Sequence, residues 1–386
     1  MIRKIGIGIF ILLIIGAGVF FGLVPRYIDK SMNTVVLDTE GSISNVSYDS
    51  LSFVADLHCD MLLWNRNFFG LHRFGHVDLP RMQKSNMALQ VFTIVSKTPK
   101  GINIEKNDST TDQVALLSFS QLRPPSSWFS LKARALNQCR QLHDFASKSA
   151  GEFRVIASQH ELRNFVQDRK QNRKLAAGML GLEGAHCLEN DVMNLQTFYD
   201  AGVRYIGLAH FFDNEWAGSA HGVNKGGLTR AGKTLVREME KLNLIIDLAH
   251  ASTQTINEVL SLTSKPLIVS HTGVRGVCDN QRNLSDEHLL EIGRRNGLIG
   301  IGLWETAVCG TDAKATARSI RYVADRIGVD KVALGSDFDG AIQTHFAVTG
   351  LPLMVGALED EGFSIPEIEK IMGGNIHDFF MRNLPE

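Results

Sequence analysis

The chain begins with a run of residues that carries no charge, from Ile5 to Val24, with Arg3 and Lys4 before it and Arg26 and Lys30 after it. About twenty apolar residues are enough to cross a bilayer as a helix. No polar face interrupts the run, so a helix lying on a soluble core is a poor description. A cleaved signal peptide has a shorter apolar stretch and small residues at its exit. Here Phe20, Phe21, Leu23 and Val24 stand at the exit, which favours an uncleaved anchor over residues 1–30. Two basic residues lie on each side, and the N-terminal amine tips the orientation toward N-inside. The body of the protein is then expected outside the cytoplasm, on the periplasmic face of the inner membrane in a Gram-negative cell. Residues 31–50 are polar and rich in Ser, Asn and Asp, the composition of a linker.

From residue 51 to 386 the pattern changes to short apolar runs separated by amphipathic stretches. The runs are Leu51–Leu57, Met87–Val95, Leu175–Leu182, Val203–Ala209, Leu244–Leu248, Pro266–Ser270, Leu298–Leu303 and Lys331–Ser336. Each is apolar almost throughout, as expected of strands covered on both faces of a parallel sheet. Thr229–Leu242 reads as a helix with one apolar stripe. Ser158 with Glu161, and Ser364 with Glu367, read as capping boxes, and Pro366 suits a first helical turn. Eight strands alternating with helices predict an α/β protein of the (β/α)8 TIM-barrel type, with an N-terminal transmembrane helix. A doubly wound open sheet is the alternative, but no GxGxxG follows the first strand. The span 97–150, broken by Pro124-Pro125, is too long for one loop and one helix and reads as an insertion. Phe153–Ala157 reads as an extra short strand.

Composition removes some functions. The formal net charge is -1 and no basic cluster stands out, so nucleic acid is not an expected partner. The five cysteines show no CxxC spacing, which argues against a thiolate zinc site. An odd number in an exported protein leaves at least one thiol free or intermolecular.

In a barrel the chemistry gathers at the C-terminal ends of the strands. At those ends the sequence places His58-Cys59-Asp60, Glu183, His210, Asp247 with His250, His271 and Asp337. His58 and Asp60 lie two apart in an extended segment, so they point to one side and Cys59 to the other. A lone HxD is weak evidence, but six of eight strand ends carrying His, Asp or Glu is not. His58, Asp60, Glu183, His250 and His271 exceed the needs of one tetrahedral ion. They suit two metals about 3.5–4 Å apart sharing a carboxylate and a bridging water. The mixed imidazole and carboxylate donors favour zinc, with manganese or iron as alternatives. Asp337 is placed to move a proton from water to a leaving amine. Asp339 reads as a loop-capping residue.

These motifs, together with His76-Val77-Asp78-Leu79-Pro80, Gly181-Leu182-Glu183-Gly184, Gly202-Val203-Arg204-Tyr205, Gly227-Leu228-Thr229, Arg282-Asn283 and Gly335-Ser336-Asp337-Phe338-Asp339-Gly340, resemble the membrane (renal-type) dipeptidases, a family of zinc peptidases. The resemblance runs from Phe53 to the C-terminus. It implies a metal-dependent, amidohydrolase-like barrel, often homodimeric, with two Zn2+ ions. His58 and Asp60 would hold one ion, His250 and His271 the other, and Glu183 would bridge them. His210 would contact the scissile carbonyl region, and Arg282 would take the substrate's C-terminal carboxylate. The implied activity is hydrolysis of dipeptides, L-L and L-D, by a metal-bridging hydroxide, with β-lactam opening in some members. Cys59, Ala209 and Ala249 depart from common family residues without removing a ligand. The N-terminal anchor differs from the C-terminal lipid anchor of the mammalian enzymes and suggests a bacterial homologue. Two alternatives stand beside this reading. One is another binuclear barrel amidohydrolase, of deaminase or lactonase type. The other is a membrane-tethered binding protein without turnover.

Overall fold

The computed structural model describes residues 2–37 and 46–386. Eight parallel strands form its centre: β1 (Val54–Cys59), β2 (Met87–Val95), β3 (Ala176–Glu183), β4 (Val203–Gly207), β5 (Ile245–Asp247), β6 (Ile268–Thr272), β7 (Leu298–Ile301) and β8 (Val332–Leu334). Every residue in them is buried. This burial is why each run is apolar almost throughout and does not alternate. Each strand pairs in parallel with the next in chain order. A doubly wound sheet would show a reversal of strand order, and none occurs.

The seam between β8 and β1 is closed largely outside the regular ladder. Cys59 bridges Phe338, and the Asp60 amide donates to the Phe338 carbonyl at 2.8 Å. The Ser336 amide donates to the Asp56 carboxylate at 2.7 Å. The residues that close the barrel are therefore neighbours of the candidate ligands. The arrangement is a nearly closed (β/α)8 barrel. The short strand Phe153–Val155 hangs on the outside of β3.

Local signals place the helices. The Ser364–Glu367 capping box is formed, with Pro366 in the first turn. Ser158 caps the Glu161 amide, but the Glu161 carboxylate reaches back to the Ala157 amide, one residue earlier than in a capping box. Between β2 and β3 lie α3 (Gln113–Ser120), α4 (Ser126–Phe129) and α5 (Leu131–Lys148). After β4 comes α6 (Arg230–Lys241), capped by Thr229 and burying Leu235, Val236 and Met239. Cys278 and Cys309 form a disulfide across the loops that follow β6 and β7, while Cys59, Cys139 and Cys187 are free and buried.

The N-terminus comprises α1 (Ile2–Gly22) and α2 (Val24–Met32). At about 1.5 Å per residue, α1 matches the roughly 30 Å thickness of a bilayer's hydrocarbon. Residues 5–19 are exposed along it. By contrast, α2 is tied to the barrel. Arg66 pairs with Asp29 of α2 at 3.0 Å and with Asp339 at 2.6 Å. Asn33 accepts from the Ala341 amide at 2.9 Å, and Thr34–Val35 pairs with Gln343–Thr344. Of the stretch read as a linker, residues 31–37 are thus held against the loop after β8. Residues 38–45 lie outside the described residues.

Candidate metal centre and substrate cavity

The strand ends bring the expected residues together. His58 Nε2 lies 3.5 Å from Asp60 Oδ1, 3.5 Å from Glu183 Oε1 and 3.9 Å from Asp337 Oδ1. Glu183 Oε1 also lies 3.1 Å from His250 Nε2 and 3.5 Å from His271 Nε2. Its other oxygen is 3.3 Å from His210 Nε2. Cys59 faces away into the core, as the alternation of a strand requires. His250 and Asp337 adopt left-handed backbone, with φ of 60° and 61°. Such strain in residues other than glycine gathers at functional sites. Gly335 is required here, because a Cβ would lie 2.0 Å from the Ser270 carbonyl oxygen.

The donor set fits a divalent cation. His250 Nε2 and His271 Nε2 face each other at 2.9 Å and converge on Glu183. At most one proton fits between them. The Nδ1 atoms of His58 and His271 lie 3.2 and 3.0 Å from Ser270 Oγ, which donates to Asp247 Oδ2 at 2.6 Å. With that acceptor satisfying the two Nδ1–H groups, the Nε2 lone pairs of both rings are left to aim at the centre. His58 Nε2 and Glu183 Oε2 are buried with no hydrogen-bond partner.

The electrostatics agree. Burial, and then the neighbouring Asp60, push the Glu183 carboxyl far above the usual range. Burial pushes Asp337 up to about 8. Burial also holds His210, His250 and His271 well below the usual imidazole value, in the neutral form that binds metals. At His58 burial pulls downward, but Glu183 and Asp60 carry it up to about 10, so that without a cation the ring holds a proton at Nε2, which a bound cation would replace. These shifts describe carboxylates crowded together and short of positive charge, which a cation supplies.

Three candidate ligand groups result: His58 with Glu183 and His271, Glu183 with His210 and His250, and His58 with Asp60 and Asp337. Glu183 and His58 each belong to two of them. His210 comes as near to Glu183 as the ring of a ligand.

A second layer holds this first one. Asp247 accepts from the Ser270 amide and hydroxyl and from the Ala249 amide. Asp56 accepts from Gln90, from the Ser336 amide and hydroxyl, and from the His58 amide. Thr93 donates to Asp60. Replacing Asp247 with Asn is expected to weaken metal binding about 10–100-fold, since groups that orient ligands typically contribute that much. Titration against a competing chelator measures it, and unchanged affinity would refute the role.

Above the ligands lies a cavity of about 410 Å3 with Asp60, Glu183, His210, His250, Arg282 and Asp337 in its lining. Arg282 donates to the His271 carbonyl at 2.7 Å and is held low, at about 10, by burial. Trp64 lines the cavity while Trp216 is core, and His72, His76 and His186 lie outside the lining. His186 contacts Ser96 instead. His221 does line it, with Nδ1 on the Ile104 carbonyl at 2.9 Å and Nε2 unpartnered. It sits within a long loop and not at a strand end, so its nearness to the motifs gave it less weight in the sequence than the strand-end histidines. Asp339 caps its loop, accepting from the His76 and Val77 amides.

Comparison with known proteins follows this geometry. The profile described as membrane dipeptidase (peptidase family M19) matches residues 49–382. Dipeptidase aclJ of Aspergillus oryzae is 28% identical over 344 residues, covering 84% of this chain and 76% of its own. Among solved structures, the dipeptidase AC metallopeptidase is 25% identical with a TM-score of 0.70, covering 86% of this chain and 99% of its own. A metallopeptidase from Rhodobacter sphaeroides, bound to a phosphinate mimic of the dipeptide L-Ala-D-Ala, is 26% identical with the same TM-score and coverage.

Proposed function

The chain belongs to the membrane dipeptidase family (peptidase family M19) and is a metal-dependent dipeptidase, and from that premise we propose that it uses two zinc ions held by His58, Asp60, Glu183, His250 and His271. The observation that carries this reading is the convergence of the His250 and His271 Nε2 atoms, 2.9 Å apart, on one oxygen of Glu183. His58 with Asp60 would hold one ion and His250 with His271 the other, with Glu183 supplying carboxylate to both. When bound, the ions polarise the scissile carbonyl and acidify a water.

The rest falls to the chain's own side chains. Arg282, lining the cavity beside Trp304, pairs with the substrate's C-terminal carboxylate. His210 donates from its ring to the carbonyl oxygen as charge builds there. Asp337, 3.9 Å from His58 Nε2, accepts the water's proton and delivers it to the departing amine. Buried walls exclude bulk water and strengthen each of these contacts. Substrates are L-L and L-D dipeptides, and β-lactam opening is a side activity to assay beside them. The apolar α1 spans the membrane with the barrel on the extracytoplasmic side.

The test uses the full chain purified in detergent, stripped of metal and reloaded with zinc. Two ions per chain and release of alanine from both L-Ala-L-Ala and L-Ala-D-Ala are expected. Full turnover with a single bound ion would defeat the two-metal assignment.

A further inference from the structure

The free length of α1 ends where the barrel begins. Residues 5–19 are exposed among the described residues, and contact with the barrel starts at Phe20 and Phe21. Their rings lie 6.0 and 5.5 Å from Phe119 of α3. From there α2 turns across the mouth of the barrel. Phe20, Val24, Ile28 and Met32 line the same cavity that has Glu183 and Arg282 in its lining. The anchor is therefore one wall of the active-site cavity.

The insertion beside that junction is poor in charge. Between Gln113 and Leu131 the only charged residue is Arg123. Its guanidinium is turned inward, donating to the Leu62 and Trp64 carbonyls and to Gln141. Outward, Leu116, Leu122 and Phe129 are 62%, 65% and 87% exposed. By contrast, α6 carries Arg230, Lys233, Arg237, Glu238 and Lys241 around its buried stripe. An apolar patch of this kind marks a contact surface. Trp128 stands within it, stacked edge-on against Phe119 at 4.9 Å, and tryptophan favours the boundary between hydrocarbon and water.

The level of the patch identifies what covers it. It meets α1 at the end of a helix about as long as the hydrocarbon is thick, which is where the membrane surface falls. We propose that the barrel is seated with its catalytic mouth on the bilayer: α1 crosses the membrane, the α3–α4 patch dips into the interface, and the α1–α2 junction walls the cavity at the membrane surface. Substrate then reaches the metals along that surface. The inference rests on the reading of α1 as a membrane span and adds a second membrane contact within the catalytic domain.

The experiment places the full chain in nanodiscs of phosphatidylcholine and phosphatidylglycerol, with or without bromine on the upper acyl chain. Trp128 is one of four tryptophans. Wild-type emission is expected to fall in brominated discs by up to the share of that one residue. The Trp128→Phe protein, with dipeptide hydrolysis retained as proof of folding, is expected to show no fall. Equal wild-type emission in both discs, with the chain still inserted, would overturn the proposal and leave the anchor reading intact. Disulfide cross-linking of Phe129→Cys to a second copy, without quenching, would assign the patch to a dimer and also overturn it. Release of the chain from the discs would remove the anchor reading and the proposal together.

Discussion

Glu183→Gln is expected to lower dipeptide hydrolysis on the order of 1,000-fold and to leave the chain with less than one zinc. The substitution keeps shape and volume and removes one charge. That charge faces His58, His250 and His271 within 3.5 Å. Metal assistance contributes several kcal/mol of transition-state stabilisation, and each 1.36 kcal/mol is about tenfold in rate, which sets the magnitude. His250→Ala provides the contrast. It removes a donor from one half of the centre, so about one zinc is expected to stay on His58, Asp60 and Glu183. Metal analysis of the two variants beside wild type separates a bridging Glu183 from an ordinary ligand. Equal zinc content in both variants, or full activity in a folded Glu183→Gln protein, would end the bridging assignment.

The barrel was legible because its strands are buried on both faces. Met87–Val95 is apolar but for Gln90 and Thr93 and forms a strand with the same limits. Where a run overreached, the last residues had left the ladder: Leu298–Leu303 ends as a strand at Ile301 because the chain turns there toward Trp304. The candidate ligands were legible for a related reason. Polar residues at the end of an apolar run stand out, and a barrel brings all such ends to one rim.

Other parts were hidden because their partners are remote in sequence. Asp56 and Asp247 carry no role that the sequence alone shows. Their purpose lies in Ser336 and Ser270, which they hold from across the strand ends. His221 ranks below His186 in the sequence because it lies farther from a strand end, yet it is His221 that lines the cavity, since the loop after β4 folds back over the strand ends. The second helix was hidden most completely. Asp29 looks like the flank of the anchor, and Asn33 and Thr34 like the polar start of a linker. They are polar because Arg66, Ala341 and Gln343 meet them, and two of those partners follow more than 300 residues later.

Arg66→Met is expected to destabilise the protein by about 3–5 kcal/mol, the usual cost of stranding a buried charge. The guanidinium is buried and satisfies two buried carboxylates at once, Asp29 of α2 and Asp339 of the loop after β8. Asp339 lies two residues from Asp337, so loss of the clamp also loosens the proposed proton carrier, and turnover is expected to fall with stability. Replacing Asp29 and Asp339 with Asn in the Arg66→Met background removes the stranded charges and is expected to restore much of the lost stability. It is not expected to restore the loop's position. Denaturant unfolding in detergent and the turnover number measure the two effects separately. The acid side offers an independent check. Burial alone would raise Asp339, but Arg66 and His76 hold it below the usual carboxylate range. A carboxylate depressed in the folded state contributes stability above its unfolded value, about 3.9, and loses it as pH falls through the folded one. The wild-type loop should therefore hold at pH about 4, where an ordinary aspartate is half protonated, and the Arg66→Met loop should already have weakened. Equal acid unfolding midpoints for the two proteins would show that the clamp carries no such load.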